Sequence, residues 1–466
     1  MLASRTCHAG FSAFVLAAAV AFAPTPALAG PGTCSYALTI RGESANSLDI
    51  AVECDGSQRP TDFRFLDPIA AKFAQSAIAP DGRRTFRIDL DALAAEAADY
   101  DSALRVGRSL LLAPATIIPV PAEGGPATKL ELQIISPDGA GFATALPGDD
   151  KGRYEFAGID LEDAGEFVLG KFVERTIAGQ SGMRLAILDA PMAAGTESLA
   201  RWVSDVAASN SRFWHRPPID HPLVVLLPMA GETGLPYGRV MSAGGAVVLV
   251  QVGDSAPVRQ LYDEWVLVHE FIHLGSPLVR DTGPWFNEGI ATYFEPIIRV
   301  RAGWRDADSV WKEWLTNMPR GLPALTGAGL ESADHGGIYW GGALFMLLAD
   351  LKIRERSDGR LGVEDCLVDI RAKRGNVTEK ATTDQVLAAC DDKMASRVLN
   401  DLAAQYVHQG APVDLESVWR SLGVAMDASG AIVYSDQAPL AWLRRAIIDG
   451  GRDRHWEPIP RPASVE

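Results

Sequence analysis

The chain has 466 residues, of which 47% are hydrophobic and 22% are charged. This length and composition indicate a globular protein with room for two or three domains, and they exclude a mainly disordered chain. The formal net charge of −16 argues against binding to nucleic acid or to anionic membrane surfaces. Composition alone does not identify a substrate.

The first segment, residues 1–29, is typical of a secretory signal peptide. Arg5 supplies a positive charge, residues 11–23 are apolar, and Ala27-Leu28-Ala29 has the pattern of a cleavage site. An uncleaved membrane anchor is the alternative, although the apolar segment is short for spanning a bilayer. No later segment is long and apolar enough to span one. The mature protein is therefore predicted to be periplasmic or secreted.

Four cysteines remain once the signal peptide, which contains Cys7, is removed. They are Cys34, Cys54, Cys366 and Cys390, and four cysteines allow three pairings. Proximity in the chain favours Cys34–Cys54 and Cys366–Cys390, as expected in an oxidising compartment. None of them lies near the histidine motif described below, so thiolate ligation of a metal is not expected there.

Residues 30–172 are predicted to form a β-rich domain. Apolar and polar residues alternate in short runs at residues 36–40, 48–52, 86–90 and 130–134, and Gly, Pro and Asp separate these runs. Such a pattern is typical of an antiparallel β-sandwich. We assign no chemistry to this region, because acidic residues in such a domain usually belong to solvated faces.

Residues 173–335 have the pattern of an α/β domain, and residues 336–466 that of a helical region. Apolar runs at residues 183–188, 223–227 and 246–250 predict strands, and a helix is expected over residues 199–214. Helical periodicity recurs at residues 343–356, 382–390, 394–405, 415–422 and 439–447. The predicted fold class is a multidomain α+β protein.

The pattern His269-Glu270-Phe271-Ile272-His273 is the strongest functional signal. On a helix the two histidines lie one turn apart on one face, so that both imidazoles can bind one metal ion. Glu270 lies beside them, where a carboxylate can take a proton from a metal-bound water. Leu261, Trp265, Val268 and Ile272 are expected to form the buried stripe of this helix.

A second helix is predicted to begin near Pro284. It carries Glu288, which is the natural third metal ligand. A catalytic zinc site has three protein ligands and one water, and Glu288 would complete such a set with the two histidines. Glu295 lies on the same face two turns later, and it is a candidate to orient a ligating histidine through the other ring nitrogen. Pro296 is expected to end or kink this helix soon afterwards.

The sequences VHEFIHL and WFNEGIATYFE resemble those of the gluzincin peptidases, specifically the aminopeptidase-N-like and glycyl-aminopeptidase-like families. The resemblance covers residues 265–365. It implies a thermolysin-like zincin fold for residues 173–335, one zinc ion bound by His269, His273 and Glu288, and Glu270 as the general base. Tyr339 falls at the position of the tyrosine that stabilises the oxyanion in these families.

The sequence departs from the family pattern in three places. The spacer between His273 and Glu288 is shorter than usual, and Gly341 replaces a lysine that follows the tyrosine. The strand motif that captures a substrate's free α-amine through a glutamate is missing, and residues 241–248 stand where it is expected. Cleavage at the N-terminus and cleavage within a chain are therefore both open.

These observations predict a secreted zinc peptidase that acts on peptide or protein substrates. His335 competes with Tyr339 for the oxyanion role, since either side chain can donate a hydrogen bond. Tyr339 can also be a structural residue packed against Trp340. For the whole protein, the alternatives are an amidase or esterase acting on a non-peptide carbonyl, a peptide-binding protein with a weakly active zinc site, and a purely structural zinc site.

Overall fold

The computed structural model describes residues 32–55, 60, 62–123, 127–158, 161–451 and 455–461. The predicted signal peptide lies outside the described residues. Within these ranges, no helix is both long enough and apolar enough to cross a membrane. Both predicted disulfides, Cys34–Cys54 and Cys366–Cys390, are present.

The first part of the chain consists of short strands interrupted by short helices, because its apolar positions alternate with polar ones. The strands predicted at residues 36–40, 48–52 and 130–134 lie within β1, β2 and β9, whereas the one predicted at residues 86–90 lies in β5 up to Asp89 and its last residue, Leu90, begins α2. The elements are β1 (Thr33–Arg41), β2 (Ser47–Cys54), β3 (Phe63–Arg64), α1 (Pro68–Ala71), β4 (Ala74–Ile78), β5 (Arg84–Asp89), α2 (Leu90–Ala97), β6 (Ala103–Val106), β7 (Ser109–Leu112), α3 (Pro114–Ile117), β8 (Val120–Pro121), β9 (Lys129–Ile135), β10 (Gly141–Ala143), β11 (Arg153–Ala157) and β12 (Phe167–Gly170).

Most of these strands form two sheets that share one hydrophobic core. The larger sheet has the order β11-β9-β1-β2-β5-β4, and the smaller has the order β10-β12-β7-β6. In the larger sheet β1 runs parallel to β9 and antiparallel to β2. Leu38 and Ile50 of the larger sheet and Leu110 and Leu169 of the smaller one belong to the same buried cluster.

A five-stranded sheet follows, with the order β13-β14-β15-β17-β16. Its elements are β13 (Phe172–Thr176), β14 (Arg184–Leu188), α4 (Thr196–Phe213), β15 (Leu223–Met229), β16 (Gly238–Met241) and β17 (Val247–Gly253). Strands β14, β15 and β17 are parallel, whereas β16 is an antiparallel edge strand. β15 and β17 are apolar along most of their length because both faces of the sheet are covered. The strands and the helix predicted in this region are confirmed.

The rest of the chain is mainly helical. Its elements are α5 (Val258–Leu261), α6 (Val266–His273), β18 (Leu278–Val279), α7 (Trp285–Arg301), α8 (Ala307–Asn317), α9 (Leu322–Thr326), α10 (Gly342–Arg356), α11 (Val363–Arg374), β19 (Lys380–Ala381), α12 (Thr383–Met394), α13 (Val398–Tyr406), α14 (Leu415–Leu422), β20 (Val424–Met426), β21 (Ile432–Tyr434) and α15 (Leu443–Asp449). The π-helical turn Gly337–Gly341 precedes α10. The predicted C-terminal helices are confirmed, with shifted ends. α7 passes through Pro296 without ending, because Ile297 and Ile298 are buried and tertiary packing outweighs local propensity.

The five-stranded sheet and the later helices share one hydrophobic core, whose buried members run from Ile177 to Ile448. The boundary predicted between residues 335 and 336 therefore does not coincide with a break in this core. Tyr293 of α7 donates a hydrogen bond to Asp350 of α10 at 2.9 Å. Arg354 in turn donates to the same carboxylate at 2.8 Å, in a fully buried pair. The bond from Tyr293 joins α7 to α10, and the bond from Arg354, which lies within α10, fixes the carboxylate that accepts it.

Candidate metal centre

Helix α6, which carries both histidines, is shorter than the sequence predicts. The chain turns after Tyr262, which is buried and donates its hydroxyl to Asp205 at 2.6 Å, and α6 begins only at Val266. As a consequence, the prediction that Trp265 is part of a buried stripe is wrong. Its side chain is 48% exposed, and the residue lines the cavity in front of α6.

His269, His273 and Glu288 come together between α6 and α7. The Oε2 atom of Glu288 lies 3.1 Å from Nε2 of His269 and 3.6 Å from Nε2 of His273. The two imidazole rings have centroids 4.9 Å apart. Potential ligand atoms of all three residues lie within 4.8 Å of one another. The three side chains that the sequence predicts as ligands are thus brought together from two helices.

These three residues fit a zinc ion. Two atoms bound tetrahedrally to one zinc ion at about 2.0–2.2 Å lie roughly 3.3–3.6 Å apart. The distances from Glu288 to the two histidines are close to this separation. Two imidazoles and one carboxylate are also a donor set of catalytic zinc sites, which leave one position open. The residues therefore match such a site in chemistry, and the two distances from Glu288 match it in spacing.

Burial and mutual attraction set the charges in this cluster. Burial lowers the pKa of His269, which favours the neutral imidazole that a metal binds. For Glu288, burial acts to raise the pKa, but the charge of His273 and the hydrogen bonds from both histidines hold it well below its usual range. Glu288 is accordingly an ionised carboxylate, as a metal ligand must be.

Glu270 lies beside the ligand cluster and beneath the edge strand β16. It is 7% exposed, and burial raises its pKa to about 7. Gly238 of β16 makes this position possible. A Cβ atom added at Gly238 would lie 2.6 Å from Cγ1 of Val266 and 2.9 Å from Cγ of Glu270. The strand can approach the histidine helix this closely because Gly238 has no side chain.

Tyr339 lies next to the cluster on the π-helical turn before α10. Its ring centroid is 6.0 Å from that of His269, and the two rings are nearly parallel. Burial, together with the charges of Glu288 and Glu270, raises the pKa of Tyr339, so its hydroxyl stays protonated. His335 packs against Tyr339 with ring centroids 4.9 Å apart, and it also lines the cavity. Both candidates for the oxyanion role are therefore present at the site.

Glu295 lines the same cavity but has a different partner from the predicted one. Its Oε1 accepts a hydrogen bond from Nη1 of Arg299 at 2.7 Å, and both side chains are buried. No hydrogen bond joins Glu295 to His269 or His273 in the part of the chain that the structure describes. Burial raises the pKa of Glu295 to about 7. Arg299 lies one helical turn from Glu295 on the same helix, so the carboxylate pairs with it and not with the histidines of the neighbouring helix.

Sequence reasoning missed Asn287, the residue before the third ligand. Its Oδ1 accepts from the backbone N–H of Val279 at 3.0 Å, and its Nδ2 donates to the backbone oxygen of Pro277 at 2.9 Å. These bonds tie the short loop between α6 and α7 to the start of α7. Pro277 and Val279 of the loop are thereby bonded to the residue that directly precedes Glu288. An asparagine directly before a predicted ligand was the available signal.

The cavity in front of the cluster has a volume of about 670 Å³. Its walls come from β16, α6, the loop after α6, α7, α8 and the π-helical turn. The lining residues used below are Tyr237, Gly238, Arg239, Val240, Trp265, Glu270, Leu278, Arg280, Glu288, Thr292, Glu295, Glu313, His335 and Tyr339. A cleft of this size takes a small molecule or a short stretch of peptide.

Comparison with solved structures identifies the fold. An aminopeptidase N family protein from Idiomarina loihiensis is similar to this chain with a TM-score of 0.60 at 13% identity, over 87% of this chain and 82% of that one. An M1 zinc metallopeptidase from Deinococcus radiodurans gives a TM-score of 0.47 at 13% identity, over 83% and 95% of the two chains. Yeast LTA4 hydrolase gives 0.45 at 11% identity, over 84% and 70%.

No protein-family model matches the sequence, and no curated protein matches it. The similarity to the Idiomarina loihiensis structure shows that the chain has an aminopeptidase-N-like fold with mixed sheets and helices. The resemblance found in the motifs is thus confirmed at the level of the fold.

Proposed function

We propose that the protein is a zinc-dependent peptidase. One observation carries the proposal: His269, His273 and Glu288 meet at one point of a large cavity, with Glu270 and Tyr339 beside them. A structural zinc site is usually closed by four ligands and buried away from solvent. This cluster supplies three ligands and opens into a cleft, which favours catalysis.

His269, His273 and Glu288 would hold the zinc ion. Zinc in such a site supplies a Lewis acid, which polarises a carbonyl and makes water more acidic. The role of the protein is then to hold the three ligand side chains in the positions that the zinc ion requires. Asn287 contributes by holding the loop before Glu288, and the rings of His269 and His273 are packed edge to face.

Glu270 acts as the general base. It removes a proton from the attacking water and later gives a proton to the nitrogen of the leaving amine, so that one water is consumed for each peptide bond. Its position under β16 places the carboxylate beside the two histidines and next to the strand against which a substrate would lie.

Tyr339 stabilises the oxyanion that forms when the carbonyl is attacked. Its hydroxyl is a protonated donor at the edge of the ligand cluster, and such a donor stabilises negative charge as it develops. His335 is the second candidate for this role because it lines the same wall of the cavity. The two residues can be separated by mutation, as described in the Discussion.

The proposal includes the organisation of the whole chain. Residues 1–29 are a signal peptide, residues 30–172 a β-sandwich and residues 173–335 a thermolysin-like zincin domain, and residues 336–466 are a helical region that shares the core of the zincin domain. The protein is periplasmic or secreted, and the two disulfides support an oxidising location. The two packed sheets of the first region and the edge strand beside α6 support the domain types.

The proposal is tested with a mixed peptide library and the mature protein. Three samples are compared: protein loaded with zinc, protein stripped by a chelator, and stripped protein to which zinc has been restored. The products are read by mass spectrometry. We expect cleavage in the first and third samples alone. Cleavage that survives chelation, or zinc-loaded protein that cuts esters and no peptides, would contradict the proposal.

A further inference from the structure

We infer that the cleft accepts peptide chains without binding a free α-ammonium group, so that its substrates are bonds within a chain. The inference deepens the proposed function and rests on it. It follows from the charges that line the cavity and from the lining residues on both sides of the ligand cluster.

The edge strand β16 offers no carboxylate to an ammonium group. The charged residue among those of β16 that line the cavity is Arg239, and its neighbours Tyr237, Gly238 and Val240 are neutral. A guanidinium donates hydrogen bonds and accepts none, so Arg239 gives an ammonium group no partner at this edge. The wall against which a substrate lies is therefore unsuited to a free α-amine.

Arg239 is fixed in this position by the first part of the chain. It donates from Nη1 to Asp101 and from Nη2 to Glu166, whose side chain is 2% exposed. Its guanidinium carbon lies 4.8 Å from the centre of the Tyr100 ring. Both carboxylates are thus paired with Arg239, and neither Asp101 nor Glu166 is among the residues that line the cavity.

The remaining carboxylates of the cavity also have partners. Glu288 contacts the two histidines, and Glu270 is the proposed base. Glu295 pairs with Arg299 at 2.7 Å, and Glu313 pairs with Arg305 at 2.6 Å. Every carboxylate among the described lining residues thus has a partner or a proposed catalytic role.

The residues that line the cavity lie on both sides of Glu288 in the chain. Thr292 and Glu295 follow Glu288 by one and two helical turns, whereas Leu278 of β18 and Arg280 precede the helix. A peptide can therefore continue on both sides of the bond that lies at the cluster. A site for single N-terminal residues would instead be closed on one side by a group that binds the amine.

Two exposed aromatic residues border the cleft and offer apolar contact instead of charge. The exposed fractions of Tyr237 and Trp265 are 39% and 48%. Tyr237 stacks on Tyr100 with ring centroids 5.8 Å apart, and Trp265 packs edge to face on His269 at 5.2 Å. Rigid aromatic surfaces of this kind bind side chains along a chain and do not require a terminus.

The inference is tested with a lysine-free synthetic peptide library. One half of the library is left untreated, and the other half is acetylated at the N-terminus. Both halves are digested with the zinc-loaded protein and read by mass spectrometry. We expect the same internal bonds to be cut in both halves, with kcat/KM changed less than about tenfold by acetylation. An enzyme that anchors the amine loses more than about a hundredfold, because a buried carboxylate is left unpaired.

Equilibrium dialysis of both halves against zinc-loaded Glu270→Gln supplies a readout that does not need turnover. Equal binding of both halves without cleavage by the wild type would overturn the proposed function, while showing that binding in the cleft does not require a free α-ammonium group. Release of single residues from the untreated half alone, or a loss of more than about a hundredfold on acetylation, would overturn the inference and leave the proposed function standing. Protein that neither binds nor cuts either half would overturn both.

Discussion

Gly289 of α7 packs directly against the backbone of Gly342 at the start of α10. A Cβ atom added at Gly289 would lie 2.6 Å from Cα of Gly342, and one added at Gly342 would lie 2.4 Å from the backbone oxygen of Trp285. The two helices can come this close because both residues lack a side chain. This contact brings the turn that carries Tyr339 next to Glu288.

Gly289→Ala is therefore expected to destabilise the protein and reduce turnover. Alanine favours a helix by about 1 kcal/mol over glycine, but here its Cβ meets backbone atoms, which cannot rotate away. Overpacking of this kind costs about 1–3 kcal/mol. Urea unfolding and peptide hydrolysis measure the two effects. Gly336→Ala is the control, since its added Cβ would meet nothing nearer than 3.8 Å. Equal stability of the two variants would contradict the role of the contact.

Tyr339→Phe separates the two candidates for oxyanion stabilisation. The substitution keeps the ring that packs against His269 and His335 and removes the hydroxyl. We expect kcat to fall by about 10²–10³ while bound zinc is unchanged, because one donor to the transition state is lost. His335→Gln serves as the matched variant and is expected to change kcat far less. The opposite ranking of the two variants would assign the role to His335.

Local spacing explains what could be predicted at this site. Helical periodicity and the helix start at Pro284 predict the positions of His269, His273 and Glu288. These three side chains could therefore be placed without knowledge of distant contacts. The exposure of Trp265 could not be foreseen, because it depends on where α6 begins. Just before that start, Tyr262 is buried and bonded to Asp205, which lies 57 residues earlier in the chain.

The contacts of the edge strand β16 could not be predicted from the sequence either. Nothing in the sequence around Arg239 indicates its partners, Glu166 and Asp101, which lie 73 and 138 residues away in the chain. The contact of Gly289 with Gly342 is likewise long-range. Strands and helices of this chain could thus be predicted from local pattern, whereas the packing that shapes the cleft could not.

Arg239→Met is expected to destabilise the protein by about 3–5 kcal/mol, because it leaves the buried carboxylate of Glu166 without its cation. Urea unfolding measures the loss. Adding Glu166→Gln should restore part of the stability, since the uncompensated charge is then removed. Arg280→Met is the control, because Arg280 lines the same cavity but is exposed. Additive effects of the two substitutions at positions 239 and 166 would contradict the pairing.

Glu295 is expected to make stability depend on pH. Burial raises the pKa of this carboxyl group from the ordinary 4.5 to about 7. The charges of Arg299 and Arg305 lower the pKa, and the charge of Glu313 raises it further. A raised pKa in the folded state means that the contribution to stability is fully present below about pH 4.5 and is lost as the pH rises through about 7.

The measurement is urea unfolding of the wild type and Glu295→Gln between about pH 5 and about pH 8. Glutamine has nearly the same shape and does not titrate. The stability of the wild type relative to the variant should therefore fall as the pH rises, by at most about 1.4 kcal/mol per pH unit. A difference that stays constant over this range would show that Glu295 is ionised throughout.

The central claim is that the cluster binds zinc for hydrolysis with Glu270 as the base, and Glu270→Gln tests it most directly. Bound zinc per chain and the rate of peptide hydrolysis are measured on the same preparations of wild type, Glu270→Gln and His273→Ala. We predict wild-type zinc content in Glu270→Gln with hydrolysis reduced by at least about a hundredfold, and loss of both zinc and hydrolysis in His273→Ala. A zinc-loaded Glu270→Gln variant that hydrolyses peptides at nearly the wild-type rate would contradict the account.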